Sequence, residues 1–363
     1  MSAQPESWAA ALAQGEQTLR QAYEFGFTQA DFDEQIANTR KALQVAVQTS
    51  PTRRTSGLAR RIMSSFSNER VLSAPADDLE RFESYANEIT PEAVHTAFKA
   101  GWEGLDTPQL YLATSEVIDN AQEVMVKALE ESRAVAVTPL KAAQNAKFAY
   151  TEFGAPGKVS MRKTIEDIDF ETIIFENNVR LNLKKTPYQK DVISIKVALG
   201  QGNLFFPKDE AGFKWFAPNM LNLSGLKAHS ADEIQTIMAG KSVGVSLSFG
   251  AERMFMAGAT VPENLADQLN LMTAYAIAPG YREEAKTRYD KYIQSFYPTL
   301  DSTPSGVASR DVDRLIRSGD KRFGIPDQQA LIDIDMTTLE GWLEPGLKAV
   351  SYTHLTLPTI YSV

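Results

Sequence analysis

The apolar residues of this 363-residue chain change their spacing part-way along the sequence. In the first 134 residues they recur every three or four positions, as at Leu12 and Leu19, which is typical of amphipathic helices. Further along they alternate with polar neighbours, as at Val179, Leu181 and Leu183, which is typical of half-buried strands. Blocks of strands followed by blocks of helices predict an α+β fold, with helices packed on one face of an antiparallel-dominated sheet.

The same spacing divides the chain into regions. Residues 135–169 contain small residues, prolines and glycines without a sustained period, which indicates a linker. We expect helices over 1–134, with one short apolar strand at 109–115 (QLYLATS), and the α+β region over 170–350. The last residues, 351–363 (SYTHLTLPTIYSV), have no Asp, Glu, Lys or Arg and continue no helical period, so we expect them to be foreign to the fold.

Charge and composition exclude several classes of function. The chain has 46 acidic and 37 basic residues, a formal net charge of −9, which disfavours a nucleic-acid partner. It has no cysteine, so disulfides, thiolate zinc sites and cysteine nucleophiles are excluded. Its three histidines, His95, His229 and His354, are too far apart for a paired-histidine metal motif. No run of about 18 apolar residues predicts a membrane span. The first residues carry no export signal, which is compatible with cytoplasm or periplasm.

Two glycine motifs have only a superficial likeness to functional motifs. Gly200-x-Gly202 lacks the third glycine and the βαβ setting of a dinucleotide-binding loop. The run 244–248 (GVSLS) lacks the closing glycine of a nucleophile elbow, which is displaced to Gly250. We expect this second run to be a strand with serines on its solvent face.

Charged pairs and clusters favour solvation or helix capping over catalysis. The carboxylate pairs lie in predicted strands or at helix starts, where solvation or capping is favoured over general acid or base catalysis. They are Asp77 with Asp78, Asp167 with Asp169, and Asp333 with Asp335. The densest basic cluster is expected to be a solvated helix face, with contact to a peptide or a neighbouring domain as the alternative; it consists of Arg53, Arg54, Arg60 and Arg61.

The run 212–220 (GFKWFAPNM), which follows a predicted hairpin and a strand, resembles the zinc-binding helix of the insulinase or pitrilysin metallopeptidases. That helix carries the inverted H-x-x-E-H signature in the frame G-x-x-H-x-x-E-H-M. Here Trp215 and Asn219 stand at the two histidine positions and Pro218 at the glutamate position. The third ligand, a glutamate on a later helix, would align near Phe296. The resemblance therefore implies that this chain has no catalytic residue and no metal ligand.

The replaced residues also carry structural expectations. We expect Trp215 and Phe216 to fill the space where ligands would otherwise stand, so that the helix is kept for packing. Pro218 should kink or end this helix, because proline removes one backbone hydrogen bond from a helix interior.

The resemblance extends upstream and implies an order of domains. Residues 24–31 (EFGFTQAD) and 90–94 (TPEAV) resemble the end of the family's second domain, and 153–159 (FGAPGKV) resembles the connector that follows it. This implies tandem metallopeptidase-like domains, each built on an antiparallel-dominated sheet. Residues 1–134 would be the later part of the second domain, and 170–350 a degenerate third domain with the start of a fourth.

For the intact protein the resemblance implies zinc-dependent endoproteolysis of peptides inside a closed chamber, with zinc bound in a catalytic domain outside this chain. This chain would be inactive alone and would form a chamber wall that positions the peptide substrate. Its partner would be the missing catalytic half or an active partner subunit. The alternative is a non-catalytic scaffold or partner subunit of the same fold. An independent hydrolase using serine or paired carboxylates has no supporting constellation. The sequence assigns no substrate-binding residues.

Overall fold

Helices and then strands with helices follow one another along the chain, as the change of spacing predicts. The computed structural model describes residues 5–102, 107–114, 116–140, 146–208, 212–348 and 350–358. The α-helices are α1 (Trp8–Phe25), α2 (Gln29–Thr49), α3 (Thr55–Ser67), α4 (Pro75–Ala86), α5 (Pro91–Gly101), α6 (Ala121–Arg133), α7 (Phe213–Ser224), α8 (Ala231–Ile237), α9 (Leu265–Ile277), α10 (Glu283–Phe296), α11 (Pro304–Leu315), α12 (Gln328–Ile332) and α13 (Met336–Lys348). The strands are β1 (Val159–Ile165), β2 (Phe170–Phe175), β3 (Arg180–Thr186), β4 (Ile193–Leu199), β5 (Ser246–Phe249), β6 (Met254–Thr260) and β7 (Val350–Pro358).

The chain forms two units, one from Met1–Ala37 with Arg81–Asn145 and the other from Asn38–Glu80 with Ala146–Val363. In the first unit α1 packs against α5 and α6. Helix α5 has a capped start: Thr90 Oγ1 accepts a hydrogen bond from the Ala93 amide at 3.2 Å, and Pro91 takes the first helical position. The described part of this unit is helical.

The strand predicted at 109–115 is absent from the first unit. Residues 109–114 have no regular structure, and Ser115 lies outside the described residues. A strand is stable only when another strand completes its hydrogen bonds, and the described part of this unit contains no other strand. The apolar run by itself is therefore not enough to form one.

The second unit contains a seven-stranded sheet in the order β1-β2-β3-β7-β4-β6-β5. Neighbouring strands are antiparallel except for β3 and β7, which are parallel. The predicted hairpin joins β2 to β3 through Asn177 and Asn178, and Asn178 takes a left-handed φ of 63°, which asparagine tolerates. The predicted α+β fold with an antiparallel-dominated sheet is confirmed.

Two strands occur where the sequence predicts none. Strand β1 lies inside the predicted linker 135–169, and it escaped prediction because every one of its side chains is exposed, without alternating burial. Strand β7 occupies most of the segment 351–363 that we expected to be foreign to the fold. Its backbone pairs with β3 and β4 at the middle of the sheet, while 359–363 lie outside the described residues. Strands β3 and β4 offer backbone hydrogen-bonding groups on both sides of β7. The spacing of apolar residues within 351–363 cannot reveal these partners.

Helices cover one face of the sheet, as predicted. The strand residues buried on this face join the core of α7, α9, α10 and α13; they are Ile193, Ile195, Leu199, Leu247, Met254 and Met256. A cluster of four aromatic rings adjoins this core. The ring centroid of Trp342 lies 4.1 Å from that of Phe206, 5.1 Å from that of Phe213 and 5.5 Å from that of Phe249. None of the described helices is long and apolar enough to cross a membrane.

In the second unit, the segment that begins at Ala146 packs on a buried histidine. The His229 ring, 5% exposed, stacks on Phe148 at 5.7 Å and meets Tyr150 edge-on at 6.0 Å. Its Nε2 accepts a hydrogen bond from the Ala149 amide at 2.9 Å, and the Tyr150 hydroxyl accepts one from the Ala228 amide at 2.9 Å. Because an amide can only donate, His229 must be neutral at Nε2 for this contact to form.

Candidate functional site

The run that resembles a zinc-binding helix lies on α7. Gly212 precedes the helix with a φ of 128°, a backbone conformation that residues with a side chain rarely adopt, so glycine is favoured there. The helix continues through Pro218 to Ser224, so Pro218 does not end it, and of the two predicted effects only a kink stays a prediction. Proline removes only the amide that would have donated to the Lys214 carbonyl, and the packing of the rest of α7 outweighs that loss.

The two residues at the histidine positions lie toward the surface. Trp215 is 36% exposed, and its Nε1 donates to the Gly324 carbonyl at 3.1 Å, so the prediction that Trp215 fills buried space is wrong. Asn219 Nδ2 donates to the Trp215 carbonyl at 2.8 Å. Beside them, burial lowers the pKa of Lys214, whose ammonium lies 5.8 Å from the Trp215 ring centroid. These contacts position side chains without assembling a reactive group.

The buried aromatic residue of this helix is Phe216. It is fully buried and meets Tyr289 of α10 edge-on, with ring centroids 4.9 Å apart. Burial raises the pKa of Tyr289, so its hydroxyl stays neutral. Phe296, near the expected third ligand position, is also on α10 and stacks on Tyr292 at 5.4 Å. The structure thus brings α7 and α10 together through hydrophobic contacts, as predicted for Phe216.

The residues at these four positions do not fit a zinc ion. Catalytic zinc sites use three protein ligands from His, Asp, Glu or Cys, and Trp215, Pro218 and Phe296 supply no such group. The Asn219 side chain is engaged with the helix backbone. In the part of the chain that the structure describes, no three His, Cys, Asp or Glu side chains are grouped so that they could hold a metal ion. We therefore assign no hydrolytic step to this helix.

The carboxylate pairs act mainly at helix starts. Asp78 accepts hydrogen bonds from Ser73 and, at 2.6 Å, from Arg61. Asp335 accepts the Thr338 amide at 2.6 Å, and this bond lowers the pKa of Asp335. The remaining pair, Asp167 with Asp169, lies in the exposed turn between β1 and β2. Solvation and capping therefore account for these residues, as predicted.

The other motifs also have structural roles. Gly202 packs so closely on the turn between β5 and β6 that a Cβ would lie 2.3 Å from the Arg253 amide nitrogen. Ser246 and Ser248 are exposed on β5, which confirms the predicted row of solvent-facing serines. The predicted arginine cluster is solvated at Arg53, Arg54 and Arg60, whereas Arg61 binds Asp78 and the Ser73 carbonyl; these roles leave no reactive constellation among them.

The face of the sheet opposite the helices is the remaining candidate site. Along β4, Ile193 and Ile195 are buried against the helices, while Ser194 and Lys196 are exposed on the other side. Because side chains alternate along a strand, the residues paired with Ser194 and Lys196 share their face. On β6 and β5 these are the small residues Ala257, Ala259 and Ser246. The same register adds Ser248 and its partner Phe255, whose ring is half-buried. We call this surface the open face.

A shallow groove crosses the open face at β4, β5 and β6. It encloses about 600 Å³ and is lined by Ser194, Lys196, Ser246 and Ala259. A second groove of about 320 Å³ continues it beside residues 241–245 and shares Ser246 and Ala259 with it. Small side chains leave the strand backbone accessible here, which suits an extended polypeptide better than a compact ligand.

The outer end of the groove is shaped by a buried glutamine. Gln268 of α9 is fully buried, and its side chain both accepts from the Gly244 amide at 2.9 Å and donates to the Gly244 carbonyl at 2.8 Å. Gly258 makes room for this amide, since a Cβ there would lie 2.4 Å from Gln268 Nε2. Gln268 thus replaces strand pairing just before β5 begins and leaves β5 as a short edge strand.

The open face is not among the sites that the sequence predicts. The sequence does contain a signal for one of its strands, because Ile193, Ser194, Ile195 and Lys196 alternate between apolar and polar. That pattern identifies a half-buried strand but cannot show which strands are neighbours.

Comparisons with known proteins show the fold. No protein-family model matches this sequence, and no curated protein matches it. A mutant of the ferredoxin protease FusC, crystallised with Arabidopsis ferredoxin, is similar with a TM-score of 0.54 and 16% identity, over 97% of this chain and 39% of that one. The periplasmic protease PqqL from Escherichia coli is similar with a TM-score of 0.51 and 14% identity, over 95% of this chain and 39% of that one. The α+β fold is therefore shared with proteases, and this chain spans about two-fifths of their length.

We predict that α7 depends on Phe216 more than on Trp215. Phe216→Ala should lower the free energy of unfolding by about 3 to 5 kcal/mol, because a fully buried ring leaves a cavity. Trp215→Ala should cost only about 2 kcal/mol, since its ring is partly exposed and the loss includes one hydrogen bond. Urea unfolding of the two variants measures the difference, and a larger loss for Trp215→Ala would contradict this account of the helix.

Proposed function

We propose that this chain is a non-catalytic portion of a zinc-dependent metalloendopeptidase of the insulinase or pitrilysin type. The observation that carries the proposal is the fold shared with two proteases over 97% and 95% of this chain. The order of residues in 212–220 supports this family. Helix α7 packs against α10 through Phe216 and Tyr289. Trp215 and Asn219 stand in place of the two histidine ligands, and Pro218 stands in place of the glutamate base. Residues 1–134 are proposed as the later part of a second domain, and 170–350 as a degenerate third domain with the start of a fourth.

The proposed role is to form a chamber wall and to position the peptide substrate. An antiparallel sheet with one covered face presents strand backbone and alternate side chains on the other. The open face offers a groove of about 600 Å³ lined by small residues, beside the edge strand β5. An extended polypeptide can lie along such a surface or pair with such an edge. FusC is a protease crystallised with a protein, ferredoxin, which supports a polypeptide as the class of substrate.

The proposed partner is the catalytic half, or an active partner subunit, that binds zinc. This chain spans 39% of each similar protease, so a protein of that kind contains further domains. Helix α3 supports a partner, because it presents exposed apolar side chains at Ile62, Met63 and Phe66, with Phe66 86% exposed. Exposed apolar clusters of this kind mark contact surfaces. The alternative function, a non-catalytic scaffold or partner subunit, is favoured by the same replacement of all the ligand positions.

We predict that the purified chain neither retains zinc nor cleaves peptides. Elemental analysis should find far less than one zinc per chain, and an unstructured fluorogenic peptide should stay intact with or without a chelator. The positions equivalent to the ligands hold Trp215, Asn219 and Phe296, and Pro218 stands where the glutamate base would be. Near-stoichiometric zinc together with chelator-sensitive cleavage would overturn the proposed role.

We predict that the open face binds an unstructured peptide without cleaving it. Ala259 is exposed in both grooves, so Ala259→Trp should fill them and weaken binding by roughly tenfold, measured by fluorescence anisotropy. Ala251→Trp, in the exposed turn between β5 and β6, is the matched control and should bind as the parent chain does. Binding that neither variant changes would locate the peptide elsewhere, and absence of any binding would favour the scaffold.

A further inference from the structure

The open face carries a set of basic side chains drawn from distant parts of the sequence. Lys163 of β1 lies opposite Thr172 of β2, which lies opposite Asn182 of β3. These three residues therefore share one face of the sheet. Arg180 and Lys184 are two positions from Asn182 along β3, so they lie on that face as well.

Lys196 of β4 belongs to the same face. Asn182 and Lys196 both pair with residue 354 of β7, one from each side, so their side chains point to the same side of the sheet. The register thus places four basic residues on the open face: Lys163, Arg180, Lys184 and Lys196. Across β1 to β6, no residue that the register places on this face is acidic.

This distribution differs from that of the whole chain, whose formal net charge is −9. The one acidic residue in β1 to β6 is Glu171, which the alternation places on the opposite face, where it pairs with Arg162 at 3.2 Å. Within β1 to β6, no carboxylate therefore lies on the open face beside Lys163 and Lys196. A surface of one sign attracts ligands of the other sign and disfavours those of its own.

Two of the lysines are held in place by contacts of their own. Lys184 Nζ donates to the Ile168 carbonyl at 2.8 Å, and the Lys196 ammonium lies 3.9 Å from the Phe255 ring centroid. Each ammonium has three donors, so such a contact leaves capacity for a carboxylate. Lys163 and Lys196 are exposed, and Lys196 lines the groove of about 600 Å³.

We propose that the open face selects polypeptide segments rich in carboxylates. This inference rests on the proposed function, in which the same face positions a peptide. In an extended segment alternate side chains point the same way about 6.6 Å apart, so carboxylates at alternate positions can all face the same surface. Small residues such as Ala259 and Ser246, on the strands beyond β4, leave room for the peptide backbone beside Lys196. The selected class is an acidic stretch of an unfolded polypeptide.

A polypeptide fits these observations better than a nucleic acid does. Double-stranded DNA carries one charge per roughly 1.7 Å, so the net charge of −9 repels it over a Debye length. An acidic peptide has only a few carboxylates, which the local basic surface can balance. No aromatic residue lines the groove, and the Phe255 ring on the same face is half-buried with the Lys196 ammonium over it, so bases have no open ring on which to stack.

The test measures anisotropy with a labelled unstructured peptide that has glutamate at alternate positions, and with the same peptide carrying glutamine instead. The full chain should bind the glutamate peptide roughly tenfold more tightly at low salt, and added salt should reduce the difference. The double variant Lys163→Gln, Lys196→Gln should lose that preference and bind the two peptides about equally. Lys185→Gln is the control for loss of positive charge elsewhere, because it removes one positive charge from an exposed position on the opposite face of β3.

The outcomes separate this inference from the proposed function. If both peptides bind equally, or if Lys185→Gln removes the preference as strongly as the double variant, the charge selection is wrong and peptide positioning stands. If neither peptide binds, the proposed function and this inference both fall. Tighter binding of a single-stranded oligonucleotide with the same number of charges would overturn the choice of a polypeptide. Unchanged circular dichroism of each variant shows that the chain is still folded.

Discussion

Burial of one face of the sheet is the constraint on which the second unit depends. Ile195 and Leu199 of β4 and Met254 and Met256 of β6 are at most 2% exposed and pack into one core with α7, α9, α10 and α13. Each such side chain contributes about 1.5 to 3 kcal/mol when it leaves water. Because side chains alternate, burying these residues forces their neighbours, including Ser194 and Lys196, onto the opposite face. The open face is thus a direct consequence of the core.

The same core accounts for the packing of α7, the helix that resembles a zinc-binding helix. A metal site needs polar ligands held at fixed positions, and each must be hydrogen-bonded or must bind the metal to offset its burial. None of the residues that α7 has at the aligned positions, Trp215, Pro218 and Asn219, is a His, Asp, Glu or Cys, and Phe216 fills the interior against Tyr289. Hydrophobic packing therefore holds α7 against α10.

Local signals predicted the elements that local interactions stabilise. Asn177 and Asn178 favour a hairpin turn because asparagine tolerates a left-handed conformation, and Pro91 favours a helix start because the first amide of a helix has no partner. The failures share the opposite cause. The segment 109–114 lacks a neighbouring strand, whereas β1 and β7 have neighbours that their own sequences do not reveal. Trp215 was expected inside, and only the packing of α7 shows that Phe216 takes that position.

The sequence by itself determined which residue types are available. It established the change from helical to alternating spacing and the absence of cysteine. It also established that Trp215, Pro218 and Asn219 are not His, Asp, Glu or Cys. Only the tertiary structure decided which residues meet. Lys163 and Lys196 are 33 positions apart in sequence, yet they lie on one face because strand register joins them through β2, β3 and β7. Register is set by hydrogen bonds between strands and by burial of one face, and neither can be read from any single segment.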